Sequence, residues 1–265
     1  MSWRVLWRMT VINLIATLEY RGSFAIYMFS IAASSVISLL VWLAVLDQGV
    51  PLAMDRQHLV TYYILLSVVS MLTSSWLCEY LAQNIRLGLL SPTLLRPSPD
   101  IANGIANNLA EKIVKLVFLL PMVGFVAIFF RHDLLLPTEP IVWALFVVCL
   151  PLAAATTFLL DYLIGSLAFW VEDVTGLSRV RALVAAFLSG QLVPLTLFPE
   201  WLTPLLRVQP FRYTLSFPLE VLTGHLSGDD LTLGFGFQAG YCVILWAAYR
   251  ICWQYGLRAY SASGA

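Results

Sequence analysis

The chain has 265 residues, 60% of them hydrophobic and only 11% charged, and its 15 Lys plus Arg cancel 15 Asp plus Glu. A soluble domain carries about 25% charged residues, so the composition excludes an ordinary water-soluble fold and points to an all-α polytopic membrane protein. A net charge of zero gives no basic field for nucleic acid, and Cys78, Cys149, Cys242 and Cys252, with no C-x-x-C spacing, argue against a disulfide framework or a zinc knuckle.

Residues 1–20 open the chain with Arg4 and Arg8 on one helical face and Trp3, Leu6, Trp7, Leu14 and Leu18 on a broad apolar surface. Asn13 and Glu19 interrupt the run and no small-x-small site follows closely, which argues against a secretory signal. The pattern suits an interfacial helix on the inner leaflet. Apolar runs then fall at 22–46, 59–79, 113–131, 141–171, 180–198 and 232–254. Each is broadly long enough to cross a core of about 30 Å, and six crossings put both termini on one side. Arg4, Arg8, Arg21, Arg86, Arg96, Lys112, Lys115, Arg179, Arg181, Arg250 and Arg258 then share the side of the termini, against Arg56, Arg131, Arg207 and Arg212 on the other. Positive charge collects in cytoplasmic loops, so both termini are expected to be cytoplasmic. Trp42, Trp143 and Trp201 near outer ends and Trp76, Trp170 and Trp253 near inner ends fit the same frame.

Residues 80–112 carry Pro92, Pro97 and Pro99, which break any continuous helix. The segment L-L-S-P-T-L-L predicts a short helix capped by Ser91 with Pro92 at its first position; a plain connecting loop is the alternative. Between Pro194 and Gly224, Pro194, Pro199, Pro204, Pro210 and Pro218 recur too often for a spanning helix, with Glu200, Arg207, Arg212 and Glu220 among them. Irregular backbone survives at membrane depth only where protein or a wet cavity covers it. Two short helices, 199–206 and 210–223, dipping back from the outer face are expected, an external loop with interfacial helices being the other reading.

A phosphate-binding loop needs G-x-x-x-x-G-K-[ST], and the only lysines, Lys112 and Lys115, follow Glu111 and Val114. The chain is no P-loop ATPase, and it is not expected to be an enzyme. His225 and Asp230 form H-x-x-x-x-D, a weak two-residue match to an acyltransferase pair; no histidine in a span could activate Ser189. No catalytic residue and no metal site are predicted. Asp161 lies within the fourth run, where a charge costs at least about 2.5 to 3.5 kcal/mol at the bilayer centre. Both a polar site on a cavity and a structural hydrogen bond to a neighbouring helix fit it.

The order of these elements resembles the permease subunits of ABC exporters of the type-2 family. The residues that carry the likeness are I-R-L-G-L-L-S-P-T-L-L-R-P (85–97), F-W-V-E-D-V-T-G-L (169–177), S-G-Q-L-V-P-L-T-L-F-P-E-W-L (189–202) and Q-P-F-R-Y-T-L-S-F-P (209–218). The resemblance covers nearly the whole chain. It implies one transmembrane permease domain over 1–265: an interfacial helix (1–20), a cytoplasmic coupling region (80–112), six spans, and a re-entrant hairpin (199–224) between spans five and six. It further implies a pairing with a second permease, identical or paralogous, and two ABC ATPase subunits that carry ATP and Mg, no cofactor being bound by this chain. Coupling would fall to Arg86, Gly88, Ser91, Arg96, Pro97, Glu172 and Asp173, and an outer gate to Pro199, Glu200, Trp201, Pro210, Phe211 and Pro218. Asp161 and Gln191 are left as polar residues of the pathway or of the scaffold. The setting implied is the inner membrane of a prokaryote, and the function is ATP-driven export of a drug-like or lipid-like amphipathic molecule. Export of a polysaccharide or lipid-linked glycan is the neighbouring alternative, although Ser34, Ser35, Ser38, Ser189 and Gln191 do not read as an aromatic-rich carbohydrate tunnel. A membrane-embedded acyltransferase and a non-transporting anchor are the readings from other classes.

Overall fold

The computed structural model describes residues 3–19, 21–95, 98–224, 226 and 228–260. Every regular element among them is helical: α1 (Trp3–Glu19), α2 (Arg21–Asp47), α3 (Arg56–Thr73), α4 (Leu77–Arg86), α5 (Ser91–Leu94), α6 (Asp100–Phe129), α7 (Pro140–Ser166), α8 (Thr175–Leu188), α9 (Thr203–Val208), α10 (Ser216–Thr223) and α11 (Gly228–Ala259). Short 3-10 turns follow α7 at Leu167–Phe169 and link α8 to α10 at Leu195–Leu197, Glu200–Leu202 and Pro210–Thr214.

Five segments are long and apolar enough to cross a membrane: Met28–Asp47, Arg56–Arg86, Asp100–Phe129, Pro140–Phe169 and Gly228–Ala259. The fifth expected crossing, 180–198, coincides only with the second half of α8, which has 14 residues and so a length of about 21 Å, too short to cross alone. The chain stops it at Ser189 and Gly190, where φ of +86° puts Gly190 in a conformation that other residues rarely adopt.

The third expected span begins much earlier than its apolar run. Asp100 follows the extended Pro99, and the helix runs unbroken to Phe129, with Pro121 inside it. Ala102, Ala106 and Ala110 recur at a spacing of four and are buried, and it is α6 that α1 packs along. Small residues let two helices approach closely where water supplies no drive for association. Lys112, expected in the cytoplasmic region 80–112, and Lys115, expected at the cytoplasmic end of the third run, are thereby carried into the bundle. A second difference concerns α5, whose N-cap is Leu90 with no side-chain cap; Ser91 is its first residue, and its hydroxyl lies 3.1 Å from that of Tyr260.

Packing pairs α2 with α3, α3 with α6, α4 with α7, and α7 with α11, while α10 lies against α7 and α3. Among the described residues two large apolar cores result, with a small third cluster of Met28, Met71 and Leu119. One gathers Leu39, Leu66, Val69, Phe146, Phe217 and Leu222, and the other Leu77, Leu81, Phe158, Tyr162, Leu245 and Tyr249. Along the α3–α4 segment, Val69 ends the first core and Leu77 begins the second. The hydroxyl-bearing residues Ser70, Thr73, Ser74 and Ser75 fall between the two.

Candidate functional site

The α3–α4 segment breaks at Thr73-Ser74-Ser75-Trp76 because hydroxyls there compete for backbone. Thr73 donates to Val69 O at 2.9 Å, Ser70 to Ser67 O at 3.2 Å and Ser74 to Met71 O at 3.1 Å, while Ser74 turns to φ −59°, ψ 150°. Such local bonds are an alternative to the helical ladder. The break leaves carbonyls at the end of α3 and N–H groups at the start of α4 without helical partners.

Charged side chains from three other helices meet these ends with matching sign. On α6, Lys112 Nζ donates to Ser74 O at 3.2 Å and to Asn108 Oδ1 at 2.5 Å, and Lys115 Nζ donates to Ser74 Oγ at 2.7 Å. Lys115, 0% exposed, also pairs with Glu111 one turn before it. On α7, Asp161, likewise 0% exposed, faces the first backbone N–H groups of α4, those of Leu77 and Cys78, and the Ser75 hydroxyl. Arg181 of α8 stands 2.8 Å from the Asp161 carboxylate. Cations thus meet the negative end of one helix and an anion the positive end of the next.

A cavity of about 280 Å³ opens beside the break. Ser70, Thr73, Ser74 and Ser75 line one wall, Thr157 and Thr214 add hydroxyls, and Arg181, Ser189, Gln191 and Phe211 complete the rest. A second cavity, of about 310 Å³, lies between α2, α3 and α6 and is apolar, with Phe29, Leu39, Tyr63, Ile64, Val123 and Val126 on its wall. Ser67 borders the apolar cavity and Ser70 the polar one, so the two meet α3 within one turn.

The irregular backbone after α8 is held by aromatic donors. Tyr62 OH donates to Gly190 O at 2.8 Å, Tyr63 OH to Leu192 O at 2.9 Å and Trp42 Nε1 to Leu192 O at 3.1 Å. Gln209 begins the 210–214 turn by accepting from the N–H groups of Phe211 and Arg212, at 2.7 and 3.2 Å, and donates to Leu188 O at 2.7 Å. Buried Gln238 of α11 ties this turn to α7 through Tyr213 O, at 3.0 Å, and Cys149 O, at 3.2 Å.

The residues expected in coupling divide as follows. Arg86 ends α4 beside a groove of about 340 Å³ whose other wall is Val174 and Thr175. Asp173 accepts the Thr175 N–H at 2.8 Å. Its carboxyl is held below the ordinary value first by the side-chain and backbone hydrogen bonds of Thr175, with the positive charges of Arg86 and Arg179 adding to the effect. Arg86 and the Glu172–Asp173 loop, far apart in sequence, therefore share one end of the bundle. Gly88 makes the turn after α4 with φ +71°, and Ser91 joins α5 to Tyr260. Leu87, Leu89, Leu94 and Leu95 project outward here, Leu95 being 89% exposed. Arg96 and Pro97 lie outside the described residues.

The outer set does not form one cluster. Pro199, Glu200 and Trp201 are exposed, Pro210 and Phe211 are half-buried, and Pro218 is buried. Arg212 and Glu220 pair at 2.5 Å, and Ser216 donates to the same carboxylate at 2.8 Å. His225 of the candidate acyltransferase pair lies outside the described residues, and Asp230 stands 3.8 Å from Arg207. Asp161 proves to be paired, with Arg181 rather than Asp161 on the cavity wall. The sequence pattern does not single out Glu111, Lys112, Lys115 and Arg181 as a site, the three bases reading as cytoplasmic-side charges; the alanine spacing at 102, 106 and 110 is the signal that places Lys112 inside a longer helix and Lys115 well within it rather than at its end.

Among the described residues, five segments long and apolar enough to cross a membrane, two large apolar cores and a buried layer of paired charge define a multi-pass helical membrane protein. The family described as ABC-2 family transporter protein matches residues 54–264. The chain belongs to that family and is a membrane permease of an ABC transporter. Comparison with curated proteins found no match, and neither did comparison with solved structures.

Proposed function

We propose that this chain is the membrane half of an ATP-driven exporter of an amphipathic small molecule. The observation that carries the reading is the placement of a hydroxyl-lined cavity and an apolar cavity within one turn of each other on α3, which suits a molecule with a polar and an apolar part. In this reading two permeases pair, identical or paralogous, and two ATPase subunits bearing ATP and Mg dock on the end formed by α4, α5 and residues 170–175. The exposed leucines around α5 and the adjacent Arg86 and Asp173 support that docking site. α8 and the turns to Phe198 would make the fifth of six crossings, and 199–224 the re-entrant hairpin of an outer gate before the last; the buried face of α10, with Phe217, Leu219 and Leu222 in the core, supports a hairpin at depth. Both termini would be cytoplasmic. With Lys112, Lys115 and Arg181 removed from one side of the loop charge and the paired Arg212 from the other, the eleven against four of the whole chain becomes eight against three, the same sense.

A permease needs no catalytic side chain, since transport asks only that a ligand bind two conformations unequally. The test is purification of the tagged chain in mild detergent with its neighbouring gene products, followed by an ATP hydrolysis assay. A stoichiometric ATPase is the expected result, and Arg86→Ala with Arg96→Ala is expected to weaken its retention with membrane insertion unchanged. Recovery of the chain alone would remove the engine from this reading and favour an anchor.

A further inference from the structure

The wall of the hydroxyl-lined cavity is uneven in charge. Arg181 is its one charged side chain among the described residues. The guanidinium has five N–H donors; one nitrogen, Nη2, pairs with Asp161 at 2.8 Å, while Nε is buried with no partner. The side chain is only 16% exposed. Ser189, which borders the same cavity about two turns further along the chain, is 1% exposed and its hydroxyl has no partner either. A buried donor left without an acceptor is a standing penalty, and here two residues of the same cavity wall each carry one. The polar layer around the cavity adds a bias of sign. Lys112, Lys115 and Arg181 are three bases against the two acids Glu111 and Asp161, and Lys112 is hydrogen-bonded to neutral acceptors, Ser74 O and Asn108 Oδ1. One positive charge is formally in excess within a region shielded from water, where charge is felt more strongly than at a surface.

We propose that this cavity is a binding site for an anionic oxygen group, a phosphate or carboxylate, held by the free edge of the Arg181 guanidinium and by the hydroxyl of Ser189. The inference rests on the export reading for its consequence, namely that the transported amphiphile is an anion, but the site itself is defined by the cavity alone. Arg181 presents Nε and its second Nη to the ligand while Nη2 stays on Asp161, so the ligand completes a guanidinium already anchored in place. Ser189 supplies a second donor from the C-cap of α8, and Ser70, Thr157 and Thr214 line the remaining wall. The nearest acid, Asp161, is paired with Nη2 of Arg181 and is not among the described residues of the wall. An anionic head in this cavity places a chain attached to it within one turn of α3 from the apolar cavity at Tyr63 and Ser67.

The test uses the full chain with any co-purifying ATPase in phosphatidylcholine nanodiscs, with thermal unfolding followed by tryptophan fluorescence. The probes are dodecyl phosphate, the neutral octaethylene glycol monododecyl ether, dodecyltrimethylammonium and inorganic phosphate. Dodecyl phosphate is expected to stabilise at about tenfold lower concentration than the neutral or cationic amphiphile, the factor one charge-assisted hydrogen bond supplies. Asp161→Asn with Arg181→Gln, which removes the pair together and keeps the charge balance, is expected to bring the ratio to about one. Ser189→Leu fills the cavity and leaves the ion pair intact, so the test survives if the charge variants do not fold. Stabilisation by inorganic phosphate that vanishes in these variants also supports the site and assigns it to a free anion; protection by dodecyl phosphate alone assigns it to an amphiphile's head. An unchanged preference for dodecyl phosphate in the folded variants overturns the proposal, as does equal protection by all three amphiphiles in the unaltered chain. Because ATPase co-purification is scored on the same preparations, loss of the export reading and loss of the anion site are separate results.

Discussion

Asp161 of α7 and Arg181 of α8 stand 2.8 Å apart, the carboxylate wholly buried and the guanidinium nearly so. The pair joins two helices to the start of a third, since Asp161 also faces the first N–H groups of α4. Removing one partner leaves the other as an uncompensated buried charge, which typically costs about 3 to 5 kcal/mol.

Asp161→Asn is accordingly expected to destabilise the protein by about 3 kcal/mol, and Arg181→Gln by a similar amount reduced by the side chain's partial access to solvent. The double variant should be less destabilised than the sum of the two. Unfolding in mixed micelles against the mole fraction of a denaturing detergent gives the three values, and strict additivity would show that the two groups do not interact.

The chain after α8 depends on donors from α2 and α3. Tyr62→Phe keeps the ring and deletes the bond to Gly190 O, leaving a carbonyl in the core unpaired, a loss of about 1 to 3 kcal/mol. Tyr63→Phe should cost less, about 1 kcal/mol, because Trp42 still donates to the same Leu192 carbonyl. The same unfolding assay ranks them, and a larger loss for Tyr63→Phe would contradict the shared-acceptor arrangement.

How far the sequence discloses this fold depends on which rule each segment obeys. Membrane length and polarity located α2, α7 and α11 to within about five residues, because each is one apolar run, whereas the run 59–79 marked α3 but neither the break before α4 nor the continuation of α4 to Arg86. Prolines at 92 and 99 and from 194 to 218 marked the interruptions correctly, for the reason that proline lacks the donor a helix needs. The extension of α6 back to Asp100 escaped notice because Asn103, Asn107, Asn108 and Lys112 make its hydropathy that of a loop, while its burial rests on small alanines that carry little hydropathy signal. The site escaped for a different reason: Lys112, Lys115, Asp161 and Arg181 come together only through the break at Ser74 and Ser75, a tertiary event with no local spacing. Arg86 and Asp173 were singled out separately, and their shared location emerges only when α4 packs on α7 and the 167–175 segment folds beneath it.

Close approach of α4 to α7 requires a residue without a side chain at 165. A Cβ on Gly165 would lie 2.9 Å from the carbonyl oxygen of Cys78 and 3.2 Å from both Cys78 Cα and Leu81 Cβ, and backbone cannot swing aside as a flexible side chain can. Gly165→Ala is expected to displace α4 and destabilise by about 1 to 3 kcal/mol, with Arg86 carried along at the far end of the helix. If the ATPase docks on the end formed by α4 and α5, its retention falls in this variant although no docking residue is altered. Retention equal to that of the unaltered chain, together with unchanged stability, would show that the contact relaxes without moving α4.

Asp173 gives the docking end a pH dependence whose sign is fixed. Its carboxyl is held below the ordinary 3.8 by the hydrogen bonds of Thr175, so the folded loop favours the ionised form. The stabilisation it lends the start of α8 is complete above the unfolded value and is lost as pH falls through the lower folded value. No change is expected across the neutral range. With threonine labelled by nitrogen-15, the amide resonance of Thr175, which donates to Asp173 Oδ1 at 2.8 Å, should titrate with a midpoint below 3.8. Asp173→Asn should abolish that titration, and Thr175→Val, which deletes the hydroxyl donor and keeps the amide, should raise the Asp173 carboxyl midpoint, read from the aspartate carboxyl resonance, toward the ordinary value. A midpoint at or above 3.8 in the unaltered chain would mean that the carboxylate is not bound to the Thr175 amide, and that the loop beside Arg86 is held by something else.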